Sequence, residues 1–166
     1  MSEALDIALV GKAPAYVPWV TNSWVRSSRP GYFPNADPRI HTTYEHALIE
    51  RYWRDPVMAW VFAARPEDTN FCYGYLCGEH TDIGPVLHYL YVRRSMRDSR
   101  ELRLGVAETL VRGFLSGLQL PVERITYTRE SKAWKRKLYR DRRFRNLADE
   151  WFFNPYLAFD QFRPCA

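Results

Sequence analysis

An arginine-rich stretch that runs into a glycine is one of two places in this sequence where residue types and spacing suggest chemistry. Arg97, Arg100 and Arg103 precede Gly105-Val106-Ala107, and the helical periodicity that follows marks the glycine as the opening of a helix. The amides of a helix's first turn have no partner within the helix, and its dipole makes that end positive, so such a stretch can hold phosphate oxygens. A glycine there lets an anion come close to the backbone; it suits equally well a helix packed tightly on a sheet. The second place is the segment 129–145. It holds nine basic residues (Arg129, Lys132, Lys135, Arg136, Lys137, Arg140, Arg142, Arg143, Arg145) and two acidic ones (Glu130, Asp141), a local charge of +7. The whole chain is +5, so the remainder sums to −2. The positive charge is therefore local. It reads as a solvated helix face, as a bed for an anionic ligand, or as a nucleic-acid contact through Lys135, Arg136, Lys137 and Arg140, with Trp134, Tyr139 and Phe144 interleaved.

The elements that position these residues follow from periodicity and punctuation. Residues 6–10 are a short β-prone run. Pro18 suits a helix start, and Val20 and Trp24 share a face of a helix over residues 18–29, which Arg29-Pro30-Gly31 stops. Residues 32–40 read as a loop. Thr42 and Glu45 form a capping-box pattern, with Tyr44, Ala47, Leu48 and Tyr52 following at helical spacing until Asp55-Pro56. Residues 58–63 and 71–77 form a hairpin, and residues 85–92 a third strand with Val86, His88, Leu90 and Val92 on one face and Leu87, Tyr89 and Tyr91 on the other. Leu104, Ala107, Leu110, Val111, Phe114 and Leu118 recur as one side of a helix that Pro121 ends. Residues 124–128 form a strand, residues 131–141 a basic helix capped by Ser131, and the aromatic residues 151–159 one or two strands. The order β-α-α-β-β-β-α-β-α-β(-β) implies a mixed sheet packed with helices.

Composition agrees. A chain of 166 residues with 46% hydrophobic and 26% charged residues fits one globular domain and excludes a disordered or fibrous chain. No apolar run approaches the roughly 20 residues that span a bilayer, and Met1-Ser2-Glu3 lacks a signal-like pattern, so the expectation is a cytoplasmic protein without a membrane partner. Three cysteines, with four residues between Cys72 and Cys77 and Cys165 close to the end, match no zinc spacing. Reduced thiols and no metal are expected. No Ser-His-Asp or Cys-His nucleophile arrangement can be assigned by spacing.

The element order, together with Leu90-Tyr91-Val92 and Gly105/Ala107, resembles the GNAT superfamily of N-acetyltransferases over essentially the whole chain. The resemblance implies an α/β (mixed α+β) domain covering residues 1–166, with a mostly antiparallel sheet of six to seven strands flanked by about four helices. It also implies acetyl-CoA as co-substrate. In that family a loop of pattern Q/R-x-x-G-x-G/A follows the fourth strand and holds the pyrophosphate. Gly105 and Ala107 match its last two positions, Leu102 stands at the Q/R position, and Asp98-Ser99-Arg100-Glu101-Leu102 looks like an insertion after Arg97. On this reading Arg97, Arg103, Gly105, Val106 and Ala107 hold the pyrophosphate, and the backbone of Leu90, Tyr91 and Val92 aligns the pantetheine arm. The basic helix offers a bed for the CoA 3′-phosphate.

Downstream, Leu138-Tyr139 matches a family Leu-Tyr pair whose hydroxyl protonates the departing thiolate, with Phe144 at the Phe position and Arg143 in place of a Gly. Phenols and thiols are close in acidity, so the role suits Tyr139; a helix-face packing residue is the other reading. An ammonium cannot attack a thioester, so a base is needed. His88, central on the strand that borders the acetyl group in this family, is the first candidate and a buried structural histidine the alternative. Glu79 is the second, against an exposed turn carboxylate. The implied function is transfer of an acetyl group to a primary amine on a small molecule, a protein or a modified nucleic acid, by a monomer or homodimer. The competing reading is a catalytically silent binding or structural protein that uses its basic helix. The layout also looks like that of short GNAT-like proteins of tailed bacteriophages.

Overall fold

In the computed structural model, which describes residues 6–32, 34–97 and 102–159, six strands form one sheet whose spatial order follows the chain. β1 (Ala8–Val10), β2 (Ala59–Arg65), β3 (Asp68–Thr81) and β4 (Gly84–Val92) pair antiparallel in succession. β5 (Val122–Tyr127) lies parallel to β4, and β6 (Ala148–Phe153) parallel to β5. Parallel neighbours need crossovers. α3 (Arg94–Arg97) and α4 (Leu102–Phe114) supply the first; α5 (Lys132–Arg140) and α6 (Arg142–Arg145) supply the second. α1 (Val17–Tyr32) and α2 (Pro38–Arg54) lie between β1 and β2 in the chain. Among the described residues the helices therefore number six, α3 and α6 being about one turn each, where the sequence suggested four. None is long and apolar enough to cross a membrane.

Strand alternation divides the sheet's side chains between two cores. Trp60 and Phe62 of β2 and Tyr75 and Cys77 of β3 pack with Val20 and Trp24 of α1 and Leu48, Ile49 and Tyr52 of α2. Ala63, Leu76, Leu87 and Ile125 pack on the other side with Val106, Leu110 and Phe114 of α4, Trp134 and Leu138 of α5 and Phe144 of α6. Gly78 sits where β3 passes under α4. A methyl group there would meet the Val86 carbonyl at 2.6 Å and the Phe114 ring at 2.7 Å, so the close approach requires a residue without Cβ.

Several boundaries differ from the sequence reading. α1 continues through Pro30-Gly31 to Tyr32. α2 starts at Pro38 rather than Thr42: the Asp37 side chain accepts from the amides of Arg39 and Ile40, and Pro38 occupies the first turn. Thr42 and Glu45 are thus inside the helix and form no capping box. α4 ends at Phe114, four residues before Leu118. The C-terminal aromatics form one strand followed by a 3-10 turn (Pro155–Phe159). On β4 the expected alternation fails at His88. Gly78 pairs with Leu87 and Cys77 with Tyr89, so His88 is the extra residue of a β-bulge. Leu87, Leu90 and Val92 consequently join the α4 core, while Tyr89 and Tyr91 join the α1/α2 core.

Candidate active site

β4 and β5 share only two register pairs, Val86 with Thr126 and Leu87 with Tyr127. The Thr128 amide still donates to the Leu87 carbonyl at 3.1 Å. Beyond that point β5 has ended, and residues 88–92 of β4 run on with no register pair to β5. The bulge at His88 therefore falls where the two strands part. β5 stops there while β4 continues, so the side chains around His88 lie at the end of the ladder that the two strands share.

At that end the two proposed bases meet. His88 Nε2 lies 3.0 Å from Glu79 Oε1, with the histidine 2% and the glutamate 7% exposed. Glu79 is therefore not the exposed turn carboxylate of the bland reading, since β3 runs on to Thr81. On the other side of the ring, His88 Nδ1 is 3.3 Å from Thr128 Oγ1 and 3.4 Å from the Tyr52 hydroxyl. With Nε2–H donating to the carboxylate, Nδ1 is left as an acceptor facing two hydroxyls. Burial pushes the Tyr52 phenol far above its ordinary range, so it stays a neutral hydrogen-bonding group.

A second buried polar cluster adjoins the first, and the sequence reading missed it. Arg129, next to Thr128, donates from both terminal nitrogens to Glu45, at 2.9 and 3.0 Å. Glu45 is fully buried on α2 and also accepts from the Trp24 indole at 2.5 Å. His41 Nε2 is 3.7 Å from the same carboxylate and 3.0 Å from Ser28 Oγ. The Arg129 guanidinium lies 5.4 Å from the centres of the Trp24 and Tyr89 rings, which stack on each other. Burial is the main cause that lowers the pKa of His41, with the Glu45 carboxylate working against it. This ion pair ties α2 to the segment that follows β5. The signal was present: Glu45 shares a helical face with Leu48, Ile49 and Tyr52, which predicts burial and hence a partner.

On the α4 side the placement is mixed. Leu90 is half-buried, Tyr91 is half-buried on the opposite face, and Val92 is buried. Gly105 is the fourth residue of α4, not its opening, and an added Cβ there would meet none of the described residues within 4 Å. Tight packing on the sheet is thus not what that glycine serves. Val106 and Ala107 are fully buried core residues within α4. Residues 98–101, with Arg100, lie outside the described residues, as do the side chains of Arg97 and Arg103. Arg97 ends α3 and Arg103 is the second residue of α4.

α5 is capped as expected, the Ser131 hydroxyl accepting from the Trp134 amide at 3.1 Å. Trp134, Leu138 and Phe144 are buried, so of the three interleaved aromatics only Tyr139, 67% exposed, is on the surface. Tyr139 is therefore not the packing residue of the alternative reading. The Tyr127 phenol is pushed up mainly by burial and also by Glu130, the acceptor of its hydrogen bond at 2.8 Å. Lys135 pairs with Glu130, while Arg136 and Arg140 are exposed and Lys137 is half-buried. The described cysteines, Cys72 and Cys77, are buried free thiols whose pKa values burial raises. Among the described residues no cluster of metal-ligating side chains forms.

The ladder between the fourth and fifth strands is short, and helices cover both faces of the sheet. No protein-family model matches the chain, and no curated protein matches it in sequence. Among solved structures, a "putative acetyl transferase" from Pyrococcus furiosus matches with a TM-score of 0.58 at 14% identity, covering 82% of this chain and 91% of that one. A "putative acetyltransferase of the GNAT family" from Desulfovibrio desulfuricans matches at 19% identity and a TM-score of 0.44, covering 69% and 70%. Aminoglycoside N-acetyltransferase AAC(6')-Iy, solved with CoA, matches at 13% and 0.46, covering 86% and 90%. The likeness to the Pyrococcus structure establishes the fold.

Proposed function

We propose that this protein is an N-acyltransferase that moves an acetyl group from acetyl-CoA to a primary amine by direct attack. The observation that carries this reading is the buried Glu79–His88 pair at the point where β4 leaves β5. An amine is protonated at neutral pH and must shed that proton before its lone pair can attack a thioester carbonyl. His88 accepts it at Nδ1, with the Thr128 hydroxyl at 3.3 Å as the group that passes it inward. The Glu79 carboxylate, hydrogen-bonded to Nε2, stabilises the imidazolium that results. Tyr139, exposed on α5, gives the departing sulfur its proton. The backbone of Leu90, Tyr91 and Val92 aligns the pantetheine arm. The first turn of α4, with Arg97 and Arg103, holds the pyrophosphate. Among the described residues nothing lies within 4 Å of a Cβ built at Gly105, which supports an anion's approach to the helix there.

Two measurements test the reading. Ligand at a hundredfold excess over its dissociation constant stabilises a protein by about 2.7 kcal/mol, which for a chain of this size is a rise of roughly 5–10 °C in melting temperature. Acetyl-CoA should produce it, and no shift at millimolar acetyl-CoA would sink the cofactor assignment. Thiol release with a panel of primary amines should then fall about 10²- to 10⁴-fold in kcat/KM in Glu79→Gln and His88→Gln. Equal rates in folded variants would remove the pair from the mechanism.

A further inference from the structure

α5 and the short α6 that follows it carry a dense run of exposed basic residues. Along α5, Lys132, Arg136, Tyr139 and Arg140 fall at i, i+4, i+7 and i+8, one helical face, opposite the buried Trp134 and Leu138. All four are exposed, and so are Arg142 and Arg145 of α6. Glu130 pairs with Lys135, Asp141 with Arg143, and Glu108 with Arg112 and Arg143. Among the described residues Lys132, Arg136, Arg140, Arg142 and Arg145 have no anionic partner. A merely solvated face would carry charges of both signs. This one has a single sign, and its one aromatic is a tyrosine left 67% exposed in the middle of the stripe.

We infer that this face binds single-stranded nucleic acid, the five cations lying along the phosphates and the Tyr139 ring serving as a stacking platform for a base. Phosphate charge accounts for the cations, but an acidic protein would satisfy them as well. The exposed ring selects between the two, because unstacked bases gain from an aromatic surface and carboxylate side chains do not. It also favours single strands, since bases within a duplex already stack on one another. The inference shares Tyr139 with the proposed acyl transfer, so a strand seated on that ring and acyl-CoA would compete.

Fluorescence anisotropy of the full chain with a labelled single-stranded oligonucleotide tests it. Five phosphate contacts on a single strand give a slope of about −3.5 in log affinity against log salt, a loss of roughly 100-fold between 50 and 200 mM. Replacing Lys132, Arg136 and Arg140 together by Gln should reduce the slope to about −1.4. Tyr139→Leu should weaken binding roughly 5- to 150-fold with the slope unchanged, while Tyr139→Phe retains it. Equal affinity for duplex of the same length, indifference to Tyr139→Leu, or equal binding of polyglutamate would each overturn the inference. Should a variant fail to fold, the salt slope and the single-strand, duplex and polyglutamate comparison of the unaltered protein decide the matter.

Discussion

Removing Arg129 alone should damage the fold far more than removing both halves of the Arg129–Glu45 pair. Glu45 is fully buried and Arg129 nearly so, and two hydrogen bonds join them at 2.9 and 3.0 Å. Arg129→Met leaves a buried carboxylate with the Trp24 indole and His41 as its remaining neighbours. The cost of such an uncompensated buried charge is about 3–5 kcal/mol, or a fall of roughly 6–20 °C in melting temperature for a chain of this length. Glu45→Gln keeps an acceptor for the Trp24 N–H but strips the guanidinium of its counter-charge. In the double variant neither charge is buried, methionine fills the arginine's channel, and the loss should shrink to within about 1–2 kcal/mol of the unaltered protein. Urea unfolding followed by tryptophan fluorescence measures all four corners of the cycle. Additive losses, with the double variant worse than either single one, would refute the reasoning. They would mean that the pair contributes by packing rather than by mutual neutralisation.

Two further outcomes follow from named geometry. Gly105→Ala, within a helix and clear of the described residues, should raise stability by about 1 kcal/mol. It should also reduce the melting shift caused by acetyl-CoA; a full shift in this variant would place the pyrophosphate elsewhere. The buried His41 binds its proton less readily folded than unfolded, so the unfolded chain takes up more protons as the pH falls below about 6.5. Its contribution is complete above that pH and is lost on acidification, making the protein less stable at pH 5.5 than at 7.5. His41→Gln should flatten that dependence, and an unchanged slope would assign it to other groups.

The strands and most helices were legible because their signals are local: alternation in β2, the 3.6-residue period of α4, the Ser131 cap of α5. Where local signals competed, the sequence misled. Thr42 and Glu45 have the spacing of a capping box, yet Asp37-Pro38 starts the helix earlier and Glu45 is committed to Arg129, 84 residues away. Glu79 and His88 were each legible only as candidate bases, and their contact depends on the register of β3 against β4. Arg129 was counted with a basic segment that is otherwise largely exposed, because charge runs do not show which member turns inward. The bulge at His88 left no trace in composition, since it is a property of pairing between two strands.

That bulge makes β4 a strand with a change of phase in the middle. Upstream of His88 the odd-numbered Leu87 faces α4; downstream the even-numbered Leu90 and Val92 do. Deleting His88 would restore strict parity, and the strand could then satisfy only one half. Either Leu90 and Val92 would turn toward α1 and α2 while Tyr89 and Tyr91 were driven under α4, or the whole register against β3 would slip. The chain's length at this point is thus fixed to the single residue. The same extra residue that separates the two phases is the one whose ring lies between Glu79 and Thr128.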